Sequence, residues 1–316
     1  MNLVSVVIPF YQKEKNILRS SIESLLRQQL PDGWTIEVII VDDGSPVKAK
    51  NEISGIDQRD NFIFRVIEQD NSGVAAARNR GIDEISDHST LVAFLDSDDF
   101  WPVNYIENAI TSFDLGYDLC FTDNSRDKFH LSHLKSCASK TTALAQKSAP
   151  HKNLYNLPSE EFMSLIIEEF PCQISTVTYK NSVAKNLRFD NSLNYAGEDM
   201  LFMVMLADKC HRISCNLNMV VECGSGINIY FSNFGWDSPK FFHILFDRLK
   251  CYYLISQLPN VPKKFLATNR VFLKTSLKNS FFHIFRYLYK NRGTFPSNIM
   301  NFVTLLPAVL RVIILR

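Results

Sequence analysis

The chain has 316 residues, of which 46% are hydrophobic and 21% charged, with only 11 Gly and 12 Pro. That length can bury a sizeable core, and the balance excludes a disordered, collagen-like or low-complexity protein. The net charge of +1 hides a split: 22 basic and 33 acidic residues up to Asp247, then 12 basic residues and no acid from Arg248 to Arg316.

The first third alternates strand and helix patterns. Leu3–Phe10 is a β-branched apolar run, expected as a buried strand. Glu14–Leu30 carries Ile17, Leu18, Ile22, Leu25 and Leu26 at helical spacing, and Pro31-Asp32-Gly33 stops it. Thr35–Val41 and Phe62–Ile67 read as the second and third strands, Val74–Ile85 as a helix and Leu91–Leu95 as the fourth strand. Pro102 is expected to open the next helix at its first position, and Leu119–Thr122 is a fifth strand. This alternation predicts an α/β fold with a mostly parallel, Rossmann-like sheet. Residues 125–156 are polar and basic, with Asp127 the one acid inside the stretch, and are expected to be an irregular insertion or lid. Glu198–Lys209 reads as a helix, Arg212–Val221 as strand, and everything from about residue 240 as helical and aromatic. The expected division is a catalytic domain, 1–235, and a helical extension, 236–316.

Ligands of such sheets bind beyond the carboxyl ends of the strands, so the residues there are the candidates. The first strand ends in Pro9-Phe10-Tyr11 with Glu14 behind it, and not in a dinucleotide-binding glycine fingerprint. The second ends in Asp42-Asp43-Gly44-Ser45. Its carboxylates can accept from a base N–H or a ribose hydroxyl, or can simply form an Asp-Gly turn and helix cap. The third leads into Asn71-Ser72-Gly73-Val74-Ala75-Ala76-Ala77-Arg78. That helix mouth offers N–H groups to an anion, unless it is only a well-packed helix with solvated arginines. The fourth ends in Asp96-Ser97-Asp98-Asp99, three carboxylates in four residues. A hard divalent cation, Mn²⁺ or Mg²⁺, would relieve their repulsion; the alternative is a solvated acidic loop.

The series IPFYQKE, VDDGS, NSGVAAARNRG and FLDSDDFW, in this order over about residues 3–123, resembles the family-2 glycosyltransferases. The resemblance implies an A-type glycosyltransferase fold and inverting transfer from a nucleotide-diphosphate sugar, usually a UDP-sugar, with Mn²⁺ or Mg²⁺. It implies donor contacts from Pro9, Tyr11, Glu14, Asp42 and Asp43, with Arg78 near the base or diphosphate. Asp96-Ser97-Asp98 matches the family's DxD motif, Asp96 toward ribose or sugar and Asp98 to the metal, with Ser97 beside the donor. The family also needs a base on a later helix. Glu198-Asp199 is the acidic pair available, Asp199 being the expected base, although both acids also complement a helix dipole. No residue stands out as a third metal ligand; His211 and His243 are available, but a lone His is more often structural. Cys223-Gly224-Ser225-Gly226-Ile227-Asn228 resembles a turn-rich segment near the acceptor site.

A dehalogenase-type phosphatase carries its DxD on the first strand, and a nucleotidyltransferase needs a Gly-rich first loop; Pro9–Lys15 contains no Gly. A non-catalytic nucleotide-sugar-binding protein is the alternative. No nucleic-acid motif accompanies the basic tail. Seven Cys with no CxxC pair give no disulfide or zinc framework and suit a reducing cytosol. The start Met-Asn-Leu-Val-Ser-Val has no signal-peptide pattern. In the tail, Arg270, Lys274 and Lys278 form a basic helical stripe beside Leu266, Leu273, Leu277, Phe281, Ile284 and Leu288, with further Phe and Tyr around them. That pattern suits the headgroup zone of an anionic membrane. Ile299–Leu315 is apolar but short, and Pro307 and Arg311 interrupt it. The expected placement is therefore peripheral, on the cytoplasmic face, with a glycan or polyprenyl-linked acceptor.

Overall fold

The computed structural model describes residues 2–56, 59–125, 132–136, 139–148, 151–224, 235–259 and 261–315. The chain forms two units, Met1–Phe189 with Leu206–Ile227, and Asp190–Met205 with Asn228–Arg316. Residues 190–205, expected within the catalytic domain, thus group with the C-terminal helices.

In chain order the elements are β1 (Asn2–Phe10), α1 (Ile17–Leu26), β2 (Trp34–Asp43), α2 (Ala49–Glu52), β3 (Phe62–Gln69), α3 (Val74–Asp83), β4 (Leu91–Phe94), α4 (Tyr105–Asp114) and β5 (Leu119–Ser125). There follow α5 (His133–Ser136), α6 (Lys140–Ala145), β6 (Tyr155–Leu157), α7 (Ser159–Glu168), a 3₁₀ turn (Ile174–Thr176), β7 (Val177–Lys180), α8 (Asn181–Ala184), α9 (Glu198–Lys209) and β8 (Ile213–Glu222). The last three are α10 (Pro239–Gln257), α11 (Lys263–Lys290) and α12 (Ile299–Leu315).

The first unit is built on one sheet of order β3-β2-β1-β4-β7-β5-β8-β6. β1 runs parallel to β2 and β4, β2 to β3, and β5 to β8. Val4, Val6 and Ile8 of β1 pack with Leu18, Ile22 and Leu25 of α1 and with Ile106 and Ile110 of α4 in one buried core. Ile39 and Val41 of β2 meet Ala77 on the opposite face, where small residues let α3 lie close. Burial on both faces is why these strands read as continuous apolar runs. Pro9 is tolerated in the sheet because β1 pairs with β4 only as far as Val7, so its missing N–H breaks no ladder on that side.

The sheet is mostly parallel, as expected, with β7 antiparallel to both β4 and β5 and β6 antiparallel to β8; the four residues of β7, VTYK, carry too little periodicity to be read as a strand. Three expectations are corrected. α1 starts at Ile17, after Asn16 in a left-handed conformation, and ends at Leu26. α4 starts at Tyr105, not Pro102. The Pro102 carbonyl accepts from Gln28 Nε2 at 2.9 Å and the Val103 carbonyl from Gln29 N–H at 2.9 Å, which ties this turn to the end of α1 instead. The described part of 125–156 is regular, carrying α5, α6 and β6, and not irregular chain. β6 pairs with β8, Asp123 accepts from Leu134 N–H and Ser132 Oγ, and Glu169 accepts from the N–H groups of Lys140 and Thr141. The remainder, 126–131, 137–138 and 149–150, lies outside the described residues.

In the second unit, Ser238 caps α10, accepting from Phe241 N–H at 3.1 Å. Phe246 and Phe281 both meet the Phe302 ring of α12, at 5.3 and 5.2 Å, and Phe242 meets Tyr287 of α11 at 5.2 Å. The tail's aromatics therefore divide. One set packs helix to helix, while Phe282, Phe285 and Tyr289 are 60%, 67% and 93% exposed. Among the described residues, no helix is long and apolar enough to cross a membrane.

Candidate functional site

The carboxyl ends of β1, β2 and β4 meet through Gln12. Its backbone N–H donates to Ser45 Oγ at 2.9 Å, and the same hydroxyl donates back to the Gln12 carbonyl at 3.0 Å. Its side-chain Nε2 donates to Ser97 Oγ at 3.0 Å. Gln12 is buried, with Tyr11 before it and Glu14 after it on the surface. Gln12 lies within the IPFYQKE run, but nothing local singles it out, because its partners lie 33 and 85 residues away.

The two carboxylates at the end of β2 do different things. Asp42 is buried, and both its oxygens accept backbone N–H groups, from Ser45 at 2.8 Å and Ala49 at 2.9 Å. It holds the turn and caps α2, as the capping alternative has it. Asp43 accepts from Gln69 Nε2 (2.7 Å), Ser72 N–H (2.8 Å) and Gly73 N–H (2.9 Å). The helix mouth expected to hold a ligand anion thus already holds a carboxylate of the chain. A carboxylate has about four lone-pair sites, so Asp43 retains capacity for one more donor.

The acidic loop after β4 is neutralised piece by piece. Arg78, its side chain only 4% exposed, donates to Asp96 Oδ1 at 2.8 Å, and its guanidinium lies 5.3 Å from the Phe189 ring centroid. Arg78 is therefore the partner of the motif's first carboxylate. Asp96 N–H donates to Ser175 Oγ at 2.9 Å. Asp99 is buried and accepts from Gly224 N–H at 2.9 Å. Burial pushes its carboxyl up to about 8, with the Asp96 and Asp98 charges adding to the rise and the hydrogen bonds from Ser175 and Gly224 opposing it. Gly224 also presses on the loop: a Cβ there would lie 1.9 Å from the Asp98 carbonyl oxygen. Ser175 and Phe189 escaped the sequence reading, and Gly224 was read only as part of a turn-rich segment near the acceptor, since each reaches the motif from a distant segment; residues 225–228 of that segment lie outside the described residues.

Among the described residues, no three His, Cys, Asp or Glu side chains cluster as ligands for a cation. The donor set still fits Mn²⁺ or Mg²⁺. Asp96 and Asp98 offer hard oxygens at one strand end, and such ions are often completed by substrate phosphates and water. The His243 ring stacks on Tyr195 with centroids 4.5 Å apart, in keeping with a structural role. His211 lies exposed at the start of the turn into β8.

Asp199 belongs to the second unit. It stands with Glu198 in the first turn of α9, where negative charge complements the helix dipole, and its Oδ1 accepts from Met200 N–H at 2.7 Å. The preceding loop is fastened to α10. Asp247 Oδ2 accepts from the N–H groups of Asn194 at 3.0 Å and Tyr195 at 2.8 Å.

A family model, Glycosyl transferase family 2, matches residues 5–159. The succinoglycan biosynthesis protein ExoW of Rhizobium meliloti is 33% identical over 247 residues, 76% of this chain and 74% of that protein. The minor teichoic acid biosynthesis protein GgaA of Bacillus subtilis is 35% identical over 111 residues, 35% of this chain and 25% of its own length. Among solved structures, Staphylococcus aureus TarS 1–349 in complex with UDP-GlcNAc superposes with a TM-score of 0.64 at 16% identity, covering 99% of this chain and 82% of that one. A Pyrobaculum calidifontis mannosyltransferase in complex with GDP-Man and Mn²⁺ gives 0.54 at 12% identity, covering 98% and 85%. The fold is that of the A-type glycosyltransferases, and with a relative this similar along most of its length, the chain belongs to glycosyl transferase family 2.

Proposed function

We propose that this glycosyltransferase moves a hexosyl or N-acetylhexosaminyl group, with inversion, from a UDP-sugar to a hydroxyl of a polyprenyl-linked glycan during surface polysaccharide synthesis. The observation that carries the donor half is the grouping of Asp43, Gln12, Arg78, Asp96 and Asp98 at one carboxyl edge of the sheet, where sheets of this kind bind ligands. Tyr11, Glu14, Pro9 and Asp43 receive the nucleoside. Asp96, held in place by Arg78, and Ser97 face the sugar and ribose, and Asp98 holds Mn²⁺ or Mg²⁺. When bound, the cation offsets charge on the departing diphosphate. Asp199 takes the proton of the acceptor hydroxyl, which strengthens that oxygen as a nucleophile for the single in-line displacement. The acceptor class is supported by the names of relatives that build succinoglycan and teichoic acid.

The tail is the membrane-facing part, peripheral at the inner, cytoplasmic leaflet of an anionic membrane. What supports this is the exposure of Phe282, Phe285 and Tyr289 on α11 and of Met300 and Ile314 on α12, with exposed Lys274 and Lys278, in a segment with no acid. The test of the whole reading is a panel of UDP-, GDP- and dTDP-sugars scored for thermal stabilisation and for nucleotide release, with Mn²⁺ and with excess chelator. Metal-dependent release from a UDP-sugar is expected. Stabilisation without turnover would make the chain a non-catalytic binding protein, and full activity in chelator would remove the metal from the scheme.

A further inference from the structure

α10 presents one face to the loop that leads into α9, and four side chains on that face engage it. His243, Asp247, Lys250 and Cys251 are spaced four, three and one residues apart, which places them on one side of the helix. The His243 ring stacks on Tyr195 at an interplanar angle of 12°. Asp247 Oδ2 takes the N–H groups of Asn194 and Tyr195 together. Lys250 Nζ donates to the Ser192 carbonyl at 3.3 Å, and the Cys251 thiol to the Gly197 carbonyl at 3.3 Å. Gly197 has φ +91, and a Cβ there would lie 2.8 Å from Cys251 Cβ, so loop and helix meet with no room for a side chain. Asp199 follows two residues later. Asp247 is half-buried, and it is the last acidic residue of the chain. Burial raises its carboxyl above the ordinary range, and the Tyr195 and Asn194 N–H groups work against that rise by favouring the charged form.

We propose that Asp247 is a positioning residue for Asp199: by holding two consecutive backbone N–H groups it fixes the height and direction at which the loop delivers the first turn of α9. The role rests on Asp199 being the base. A carboxylate gripping two adjacent amides defines both the distance and the tilt of that peptide segment, whereas one bond would leave it free to pivot. The stack of Tyr195 on His243 and the bare Gly197 against Cys251 block the pivots that remain. Displacing a reacting group by about 1 Å costs on the order of 10²-fold in rate, so the brace belongs to the chemistry although it touches no substrate.

The test uses the full chain with Asp247→Ala and Asp247→Asn, each alone and combined with Asp199→Asn. Two readouts are taken: hydrolysis of the UDP-sugar selected from the panel, and hydrogen exchange over residues 190–200. In Asp247→Ala, exchange at Asn194 and Tyr195 should quicken while the melting of the whole chain changes little, and kcat should fall by roughly 10–100-fold with donor KM unchanged. Asp247→Asn keeps a side-chain oxygen that accepts from both amides and should recover most of that loss. Adding Asp247→Ala to Asp199→Asn should lower kcat no further, because the two act through one group. Losses that multiply, unaltered exchange at 194–195, or an Asn variant as slow as the Ala variant would each overturn the proposal. Wild-type turnover by Asp199→Asn alone overturns the base assignment, and this role with it, even where exchange shows that Asp247 holds the loop.

Discussion

Gly224→Ala removes no charge, no hydrogen-bonding group and no candidate ligand, yet it should silence the enzyme. The new methyl would stand 1.9 Å from the Asp98 carbonyl oxygen, 2.7 Å from the carbonyl carbon and 2.8 Å from Asp98 Cβ. All three are closer than atoms tolerate, and two of them are backbone, which cannot rotate away. Comfortable contact lies near 3.5 Å, so the Asp98 peptide must retreat by about 1.5 Å or Gly224 must withdraw as far. Withdrawal pulls Gly224 N–H away from the buried Asp99 carboxyl. The first shift moves Asp98, the proposed metal ligand, relative to Asp96, the second strips a hydrogen bond from Asp99 in the same loop, and a displacement of this size predicts on the order of a 10²-fold fall in kcat. Overpacking should also cost about 1–3 kcal/mol of stability. Nucleotide release from the panel-selected UDP-sugar, measured at saturating Mn²⁺, reads the first effect, and urea unfolding reads the second. A variant with wild-type turnover and stability would show that the segment from Cys223 onward does not bear on the motif, and the reasoning would be refuted.

Asp199→Asn should bind the UDP-sugar with near-normal affinity while transfer falls by about 10²–10⁴-fold; loss of donor binding, measured by calorimetry, would make Asp199 a donor-site residue instead. Asp99 gives a pH dependence of folding. Its carboxyl keeps a proton up to about 8 in the folded chain but loses it near 3.9 when unfolded. The folded state binds more protons between those values, so stability falls as pH rises through that window. Asp99→Asn keeps the neutral shape and should flatten the fall, seen by urea unfolding at about pH 5 and pH 8; parallel profiles for the two proteins would contradict this. Replacing Phe282, Phe285 and Tyr289 together by Ser should leave folding intact, since all three are exposed. It should weaken binding to anionic phosphatidylglycerol vesicles by at least about 10²-fold, and salt should weaken the intact chain. An intact chain that ignores such vesicles at low salt would sink the membrane reading.

Local sequence was sufficient wherever the physics is local. β1, β2 and β4 follow from apolar, largely β-branched runs, because a strand buried on both faces must be apolar throughout. The carboxylates at the ends of β2 and β4 were found because strand ends are where such sheets bind ligands. The helical tail and its missing acids were plain in composition alone. What the chain could not announce locally was decided by packing. β7 pairs antiparallel in mid-sheet through only a few residues, and its pairing is a long-range choice. Asp42 and Asp43 are adjacent and chemically identical, but strand alternation turns them to opposite sides. One caps the turn of its own chain and the other the mouth of α3. Gln12, Ser175, Gly224 and Phe189 join the site from separate segments, so only the closed sheet brings them to it. Arg78 was legible as a cation near the donor, but the tertiary structure alone showed that its first partner is Asp96. The tail divides in the same way. Its periodicity declares a helix, whereas only the packing of α10, α11 and α12 determines that Tyr287 turns inward while Tyr289 is left to the surroundings, since a helix has two sides and its neighbours cover one.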